Sequence, residues 1–328
     1  MSTTPILQVK QLRKLFHFNT EGIFKRQETY VHAVDGITFD LDQGEVLGLV
    51  GESGCGKSTL ALTLLGLEPA TEGNILFEGR EISHAKGKQI KELRRHIQMV
   101  FQDPYESLNP LMTIGEIVAE PLKVHGLTRD KNEISARVNQ ALEDAGLKPA
   151  DIYYHRYPHQ LSGGQRQRVV IAGALVLQPT LLLADEPVSM LDVSIRAEIL
   201  NLLADLRTNY GISILFITHD LATAAYFTDR VAVMYLGRIV EIGPTLEVLS
   251  NPAHPYTKAL LSVIPVPNPR QRHERIILSG DPPNPVNLPA GCRFHPRCPM
   301  VFDRCRLEDP KVFDLGNNHS VHCWLLEN

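Results

Sequence analysis

The run Gly51-Glu52-Ser53-Gly54-Cys55-Gly56-Lys57-Ser58 fits Gly-x4-Gly-Lys-Ser at every position, with Thr59 following. Glycines at that spacing let backbone N–H groups turn inward around phosphate oxygens. Lys57 supplies a point charge for the β and γ oxygens, Ser58 a hydroxyl for Mg²⁺, and the helix that follows its positive end. A Gly-rich turn without function would not carry the lysine and hydroxyl in register. Leu181-Leu182-Leu183-Ala184-Asp185-Glu186 is an apolar strand ending in two acids. A buried strand that ends in carboxylates aims them at a site on its C-terminal edge. There Asp185 would hold Mg²⁺ through water and Glu186 would orient or deprotonate an attacking water. A second apolar run, Ser213–Ile217, ends in Thr218-His219-Asp220. His219 alone reads as an ordinary loop histidine; at the end of a parallel strand it reads as a γ-phosphate contact. Finally, Ser162-Gly163-Gly164-Gln165 opens a long helical run, Arg166 to Leu177, and exposes a second set of N–H donors. As an isolated string it reads equally as a helix cap. Two anion-binding helix starts with a single lysine-bearing cradle suggest that the second serves another subunit's nucleotide.

Placing these residues requires a particular scaffold. Short apolar runs at Val46–Val50, Ile97–Phe101, Leu181–Ala184, Ser213–Ile217 and Val231–Tyr235 alternate with helical patterns such as Ser58–Leu67. That alternation predicts an α/β fold with a mostly parallel sheet covered on both faces. Ile6–Val9, Ile37–Leu41 and Asn74–Glu78 alternate or sit beside glycine and suit a smaller antiparallel sheet. Arg129–Leu147, with its Ile134, Val138, Leu142 stripe, belongs to a helical insert spanning about residues 103–178. Seven prolines between Pro265 and Pro289 mark a linker, and a Cys-rich tail follows.

Bulk properties exclude some classes. A formal net charge of −4 and a pI near 6.4 give no electrostatic argument for nucleic acid as a partner. The start, Met1-Ser2-Thr3-Thr4-Pro5, lacks the regions of a signal peptide. The longest apolar stretch, near Val169–Leu177, is far short of the ~20 residues a membrane span needs. The expectation is a soluble intracellular chain. In that setting Cys292, Cys298, Cys305 and Cys323 favour metal ligation over disulfides. Their x5, x6 and x17 spacing matches neither the C-x2-C knuckles of zinc ribbons nor the close triplets of ferredoxins. An iron–sulfur cluster on all four cysteines, structural zinc and four spectator thiols all stay open. Cys55, inside the phosphate loop, reads as a tolerated small residue.

Taken in order, these motifs resemble those of the ATP-binding cassette (ABC) ATPases over about residues 5–265. By that resemblance Gly51–Thr59 is the Walker A loop, Gln102 the Q-loop glutamine and Leu161–Gln165 the signature. Leu181–Asp185 is then Walker B, Glu186 the catalytic carboxylate, Ser189-Met190-Leu191-Asp192 the D-loop and His219 the switch histidine. Met190 departs from the more usual alanine. Phe16 best matches the adenine-stacking aromatic, with Tyr30 the runner-up. The resemblance implies a core sheet with a small antiparallel β subdomain and a helical subdomain within residues 1–264. It implies ATP as nucleotide, with Mg²⁺ held by Ser58, Gln102 and Asp185. Glu186, His219, Lys57 and Gln102 would carry hydrolysis, and two cassettes would close head to tail around two ATPs.

A narrower resemblance, to the ATP-binding subunits of dipeptide/oligopeptide importers, rests on Asn251-Pro252-Ala253-His254-Pro255-Tyr256-Thr257-Lys258-Ala259-Leu260 and Gly291-Cys292. Pro187-Val188-Ser189 and Asp192-Val193-Ser194 suit the same group. It implies a linker and Cys-rich C-terminal domain over 265–328, with a [4Fe–4S] cluster on the four tail cysteines and zinc as the alternative. It also implies a second ATPase subunit, with the group's habit pointing to a paralogue, two membrane permeases and, indirectly, an extracytoplasmic solute-binding protein, with no nucleic acid. The location would be peripheral, on the cytoplasmic face of the inner membrane. Oligosaccharides or metal ions are alternative cargoes, and a non-transport cassette acting on ribosomes or DNA is the rival. The loop from Gln102 to Leu122, with Tyr105, Leu108, Leu111 and Met112, is the expected permease-docking surface.

Overall fold

The computed structural model describes residues 5–22, 25–264 and 275–327. The expected boundary at residues 264/265 and the first part of the proline-rich linker lie outside the described residues. The chain divides into two compact units: Met1–Ile6, Leu41–Glu45 and Ala85–Ile217 form one, and Leu7–Asp40, Val46–His84 and Thr218–Asn328 the other.

In the first unit, three strands run parallel. Ile97 to Val100 pair with Leu181 to Ala184, and Leu181 to Asp185 pair with Ser213 to Ile217. Leu181, Leu182, Leu183, Ala184, Ile214, Leu215, Phe216 and Ile217 are all fully buried. Continuous apolar runs of this kind are what a parallel sheet covered on both faces selects. The same unit holds the helices Ile114–His125, Lys131–Asp144, Gly163–Leu175 and Val193–Tyr210, the first two packed on the third, each with a distinct start. Thr113 and Glu116 form a reciprocal capping box, and the carboxylates of Asp130 and Asp192 cap the helices that follow them. The stripe predicted on Arg129–Leu147 is a helix over Lys131–Asp144 that buries Val138 and Leu142, with Ile134 half-buried.

The second unit holds two sheets. One takes its order from the chain segments Lys25–Leu41, Leu7–Gly22, Glu72–Phe77 and Arg80–Glu81, with Leu7–Lys10 antiparallel to Asn74–Phe77. Its two long strands far exceed the short runs predicted from apolar alternation. In the other, Val46–Val50 lies parallel to Arg230–Tyr235, which pairs antiparallel with Arg238–Pro244. Glu241 and Ile242 then pair with Val321 and Ser320, so the tail extends this sheet. Beside it, Val50, Val233, Tyr235, Tyr256 and Phe294 share one buried cluster, against which Cys292 and Cys298 pack. Phosphate-loop strand, C-terminal helix and Cys-bearing tail thus share a core.

A polar network anchors that region. The Glu241 carboxylate, fully buried, accepts the N–H groups of Ala253 and His254 at 2.8 and 3.0 Å and bonds His319 Nε2 at 2.8 Å. His254 caps the helix Pro255–Ser262 by accepting the Tyr256 N–H on Nδ1 at 3.1 Å. Burial above all, then nearby His322 and Lys258, pushes His254 from its ordinary 6.5 down to about 3. An unfolded histidine takes up its proton near 6.5, whereas this one resists until about pH 3, so acid favours the unfolded chain throughout that window. Stability is expected to fall by about 1.4 kcal/mol per pH unit there from this residue alone. His254→Asn keeps a capping oxygen and removes the titration. Urea unfolding at pH 7 and pH 5 checks this: the loss between the two should shrink in the variant, and an equal loss contradicts it.

Candidate functional site

The phosphate loop is built by burial. Val46 to Val50 are all buried, and the chain leaves the sheet at Gly51, where a Cβ would lie 2.2 Å from the Met234 carbonyl oxygen. At Gly56, φ is 107°, and a Cβ would lie 1.9 Å from the Ala33 carbonyl oxygen. Only glycine fits either position. The helix Lys57–Leu64 starts without a side-chain cap, so its first N–H groups are available to an anion. Lys57 is buried, and its Nζ donates to the carbonyls of Gly51 at 2.7 Å and Glu52 at 3.0 Å, across the loop's own concavity. Ser53, Gly54 and Ser58 are exposed, while Glu52 and Thr59 are half-buried. Burial pushes the Cys55 thiol up despite Lys57 beside it, which fits a packing residue rather than a nucleophile. In the same unit, Phe16 is half-buried with Lys14 Nζ 4.6 Å above its ring, and Tyr30 is exposed, edge-on to His17. His219 is exposed just after the strand Ser213–Thr218, and Asp220 caps the next helix.

In the other unit, the predicted acids stand at the end of their strand. Asp185 is buried, and Glu186 follows with φ of 48°, a left-handed conformation rare for a residue with a side chain. Strain of about 1–3 kcal/mol persists at such positions only where neighbours enforce it. Here the Glu186 N–H donates to the Ile217 carbonyl at 2.9 Å, and Ser189 donates to the Glu186 carbonyl from its N–H and from Oγ. The side chain is fixed too: Gln102 Nε2 donates to Glu186 Oε2 at 3.1 Å. Gln102 and Glu186, 84 residues apart in sequence, thus meet. Carboxylate and amide oxygens are hard donors of the kind Mg²⁺ takes, and in this unit Asp185 and Gln102 carry them.

Ser162 is the N-cap of the helix Gly163–Leu175. Its Oγ accepts the Gln165 N–H at 3.3 Å while Gln165 Oε1 accepts the Ser162 N–H at 3.0 Å. With its oxygen accepting inward, the hydroxyl proton can point outward. The two glycines differ. A Cβ on Gly164 would meet Ile195 at 2.5 Å, whereas one on Gly163 would reach only Tyr105 at 3.7 Å and Leu191 at 3.9 Å. Packing within the unit explains Gly164 and leaves room at Gly163.

One expectation needs correction, and another finds no support in the placement of its residues. Leu108, read as part of a docking surface, is buried; Tyr105 and Leu111 are exposed, and Arg166 lies 4.2 Å from the Tyr105 ring. The cluster expected on Cys292, Cys298, Cys305 and Cys323 is not preformed. All four are free thiols, and among the described residues no three His, Cys, Asp or Glu side chains are placed to hold a metal ion. They are nevertheless neighbours: burial, with added repulsion from the other three thiols, pushes Cys292 up to about 12. Among the described residues no helix is long and apolar enough to cross a membrane.

The ABC transporter family model matches residues 34–189, and the model for the oligopeptide/dipeptide transporter C-terminal region matches residues 240–305. The oligopeptide transport ATP-binding protein AppF of Bacillus subtilis (strain 168) is 46% identical over 325 residues, 98% of this chain and 97% of its own. The oligopeptide transport ATP-binding protein OppF of Haemophilus influenzae is 46% identical over 321 residues, 97% of this chain and 96% of its own. Among solved structures, the ATP-binding cassette MJ0796, dimeric and bound to ADP and Pi after hydrolysis, gives a TM-score of 0.63 at 29% identity. That match covers 73% of this chain and 98% of MJ0796. The cbiO1 protein of Clostridium perfringens gives 0.65 at 33%, covering 75% and 91%.

Proposed function

Because this chain belongs to the ABC transporter ATP-binding family, we propose that it is the ATP-hydrolysing subunit of an importer that takes up dipeptides or oligopeptides across the cytoplasmic membrane. The observation that carries the peptide reading is a likeness to oligopeptide transport ATP-binding proteins that runs through the tail as well as the cassette. Permeases are the implied partners, with the chain peripheral on the membrane's cytoplasmic face. A paralogous second cassette and a solute-binding protein complete the assembly we infer.

The phosphate loop would hold the triphosphate by backbone N–H groups, with Lys57 turning its ammonium from two carbonyls onto the β and γ oxygens. Glu186 would align and deprotonate the attacking water, and Gln102 would hold its carboxylate in place. His219 would contact the γ-phosphate and Phe16 would cover the adenine. Ser162 and Gly163 would contact a nucleotide bound by the partner cassette, which accounts for the room left at Gly163. Ser58, Gln102 and Asp185 would hold Mg²⁺, which would supply charge neutralisation to the triphosphate. Exposed Tyr105 and Leu111 suit contact with a permease.

The tail is read as carrying a Cys-ligated [4Fe–4S] cluster. All four cysteines are free thiols, and Cys298, Cys305 and Cys323 lie within electrostatic reach of Cys292, which supplies the donor set such a cluster would take, with zinc the alternative. One preparation tests both readings: the chain co-expressed with its permeases, purified anaerobically and reconstituted in liposomes. Peptide-dependent ATP hydrolysis and a broad iron–sulfur absorbance are expected. Stimulation by oligosaccharide or metal ion instead of peptide overturns the cargo, and tetrahedral zinc without iron overturns the cluster.

A further inference from the structure

Glu52 brings a carboxylate next to the cradle of a loop proposed to receive a triphosphate. Two residues from the C-terminal region take hold of it. Tyr256, fully buried between Tyr235 and Phe294 at ring distances of 4.8 and 5.4 Å, accepts the Glu52 backbone N–H on its hydroxyl oxygen at 3.0 Å. Arg297 donates both terminal nitrogens to the Glu52 carboxylate, at 2.8 and 3.2 Å, with its own side chain 8% exposed. Neither holder is free to drift. Tyr256 rides on the helix capped by His254, whose N–H is tied to Glu241. Arg297 sits next to Cys298 in a tail segment that Arg293 pins through Asp35 and the Leu236 carbonyl.

We propose that Tyr256 and Arg297 are positioning residues for the phosphate loop, fixing Glu52 from two sides so that the C-terminal region sets how tightly the chain binds ATP. Two effects act together. A loop already ordered loses less entropy when the triphosphate arrives. A carboxylate paired with a guanidinium in a bidentate fork repels that triphosphate far less than a lone one. The inference rests on Gly51–Ser58 being the loop that holds ATP, and the test separates the two.

The full-length chain is titrated calorimetrically with Mg·ATP, its melting is followed, and KM and kcat for ATP are measured in the assembled importer. Tyr256→Phe, which removes one hydroxyl, is expected to weaken ATP binding about fivefold, and Arg297→Gln about tenfold or more. KM should rise while kcat stays near wild type. Arg297→Lys keeps the charge without the fork and should recover part of the loss. Adding Glu52→Gln to Arg297→Gln removes the unpaired carboxylate and should restore most of the affinity, which a merely structural arginine would not do. Lys57→Ala serves as control. If it loses binding while Tyr256→Phe and Arg297→Gln bind ATP as wild type, the inference is overturned; a failure of Glu52→Gln to rescue overturns the charge argument. If Lys57→Ala itself binds normally, the phosphate-loop assignment is what falls. Should Arg297→Gln not fold, Arg297→Lys and Tyr256→Phe decide by the same readings.

Discussion

Glu186→Gln is expected to slow ATP hydrolysis by about 10³-fold while ATP binds as before. The substitution is nearly isosteric, and a glutamine Oε1 can still accept the Gln102 N–H that now reaches Glu186 Oε2 at 3.1 Å. The left-handed backbone at this residue is held by Ile217 and Ser189 through main-chain groups that the change does not touch. What the change removes is the carboxylate proposed to act as base, so the variant should accumulate in the ATP-bound state. Rapid gel filtration followed by nucleotide analysis would show ATP, not ADP, retained on the protein. Hydrolysis within threefold of wild type would remove Glu186 from the chemistry.

The second large effect concerns Gly163. Asp there meets open space within its own unit, the nearest atoms lying at ordinary contact distance. It also falls in the first turn of the helix Gly163–Leu175, where a carboxylate complements the helix dipole by about 0.3–1 kcal/mol. Gly163→Asp should therefore melt no lower than wild type, and the isolated chain should bind ATP in its own loop unchanged. Yet it would set a negative charge against a γ-phosphate presented by the partner cassette, and turnover of the assembled importer should drop at least a hundredfold, roughly the loss of several kcal/mol of electrostatic stabilisation. A stable, ATP-binding, inactive variant separates the helix-cap reading from the anion-site reading. Normal turnover would leave Ser162-Gly163-Gly164 as a cap and nothing more.

How far the residues alone reveal the molecule depends on the range of the interaction involved. The phosphate loop is legible because its chemistry lies in one short run: Gly56 takes a left-handed φ of 107°, and Lys57 folds back onto the Gly51 and Glu52 carbonyls. Leu181–Asp185 is legible because a strand buried on both faces has to be apolar throughout. The cap formed by Ser162 and Gln165 is legible for the same reason, since both partners lie within one turn. By contrast, the strands Leu7–Gly22 and Lys25–Leu41 run on through charged and polar residues, where apolar alternation fades and only pairing sustains the ladder. The tail hairpin Phe313–Asp314 and Ser320–Val321 is too short to carry any period. Tyr256 and Arg297 reach Glu52 from 204 and 245 residues away, and no local pattern announces such a contact. Leu108 looks like its exposed neighbours Tyr105 and Leu111 by composition, and only packing distinguishes it.

The most direct measurement is the mass of the cassette assembly, by light scattering of the Glu186→Gln chain mixed with its partner cassette, before and after ATP. ATP should drive association into a pair with nucleotide occluded, and Gly163→Asp should prevent it. A monomer that stays monomeric with ATP bound, and a wild-type monomer that hydrolyses ATP at the full rate with Gly163 dispensable, would contradict a nucleotide shared between two cassettes.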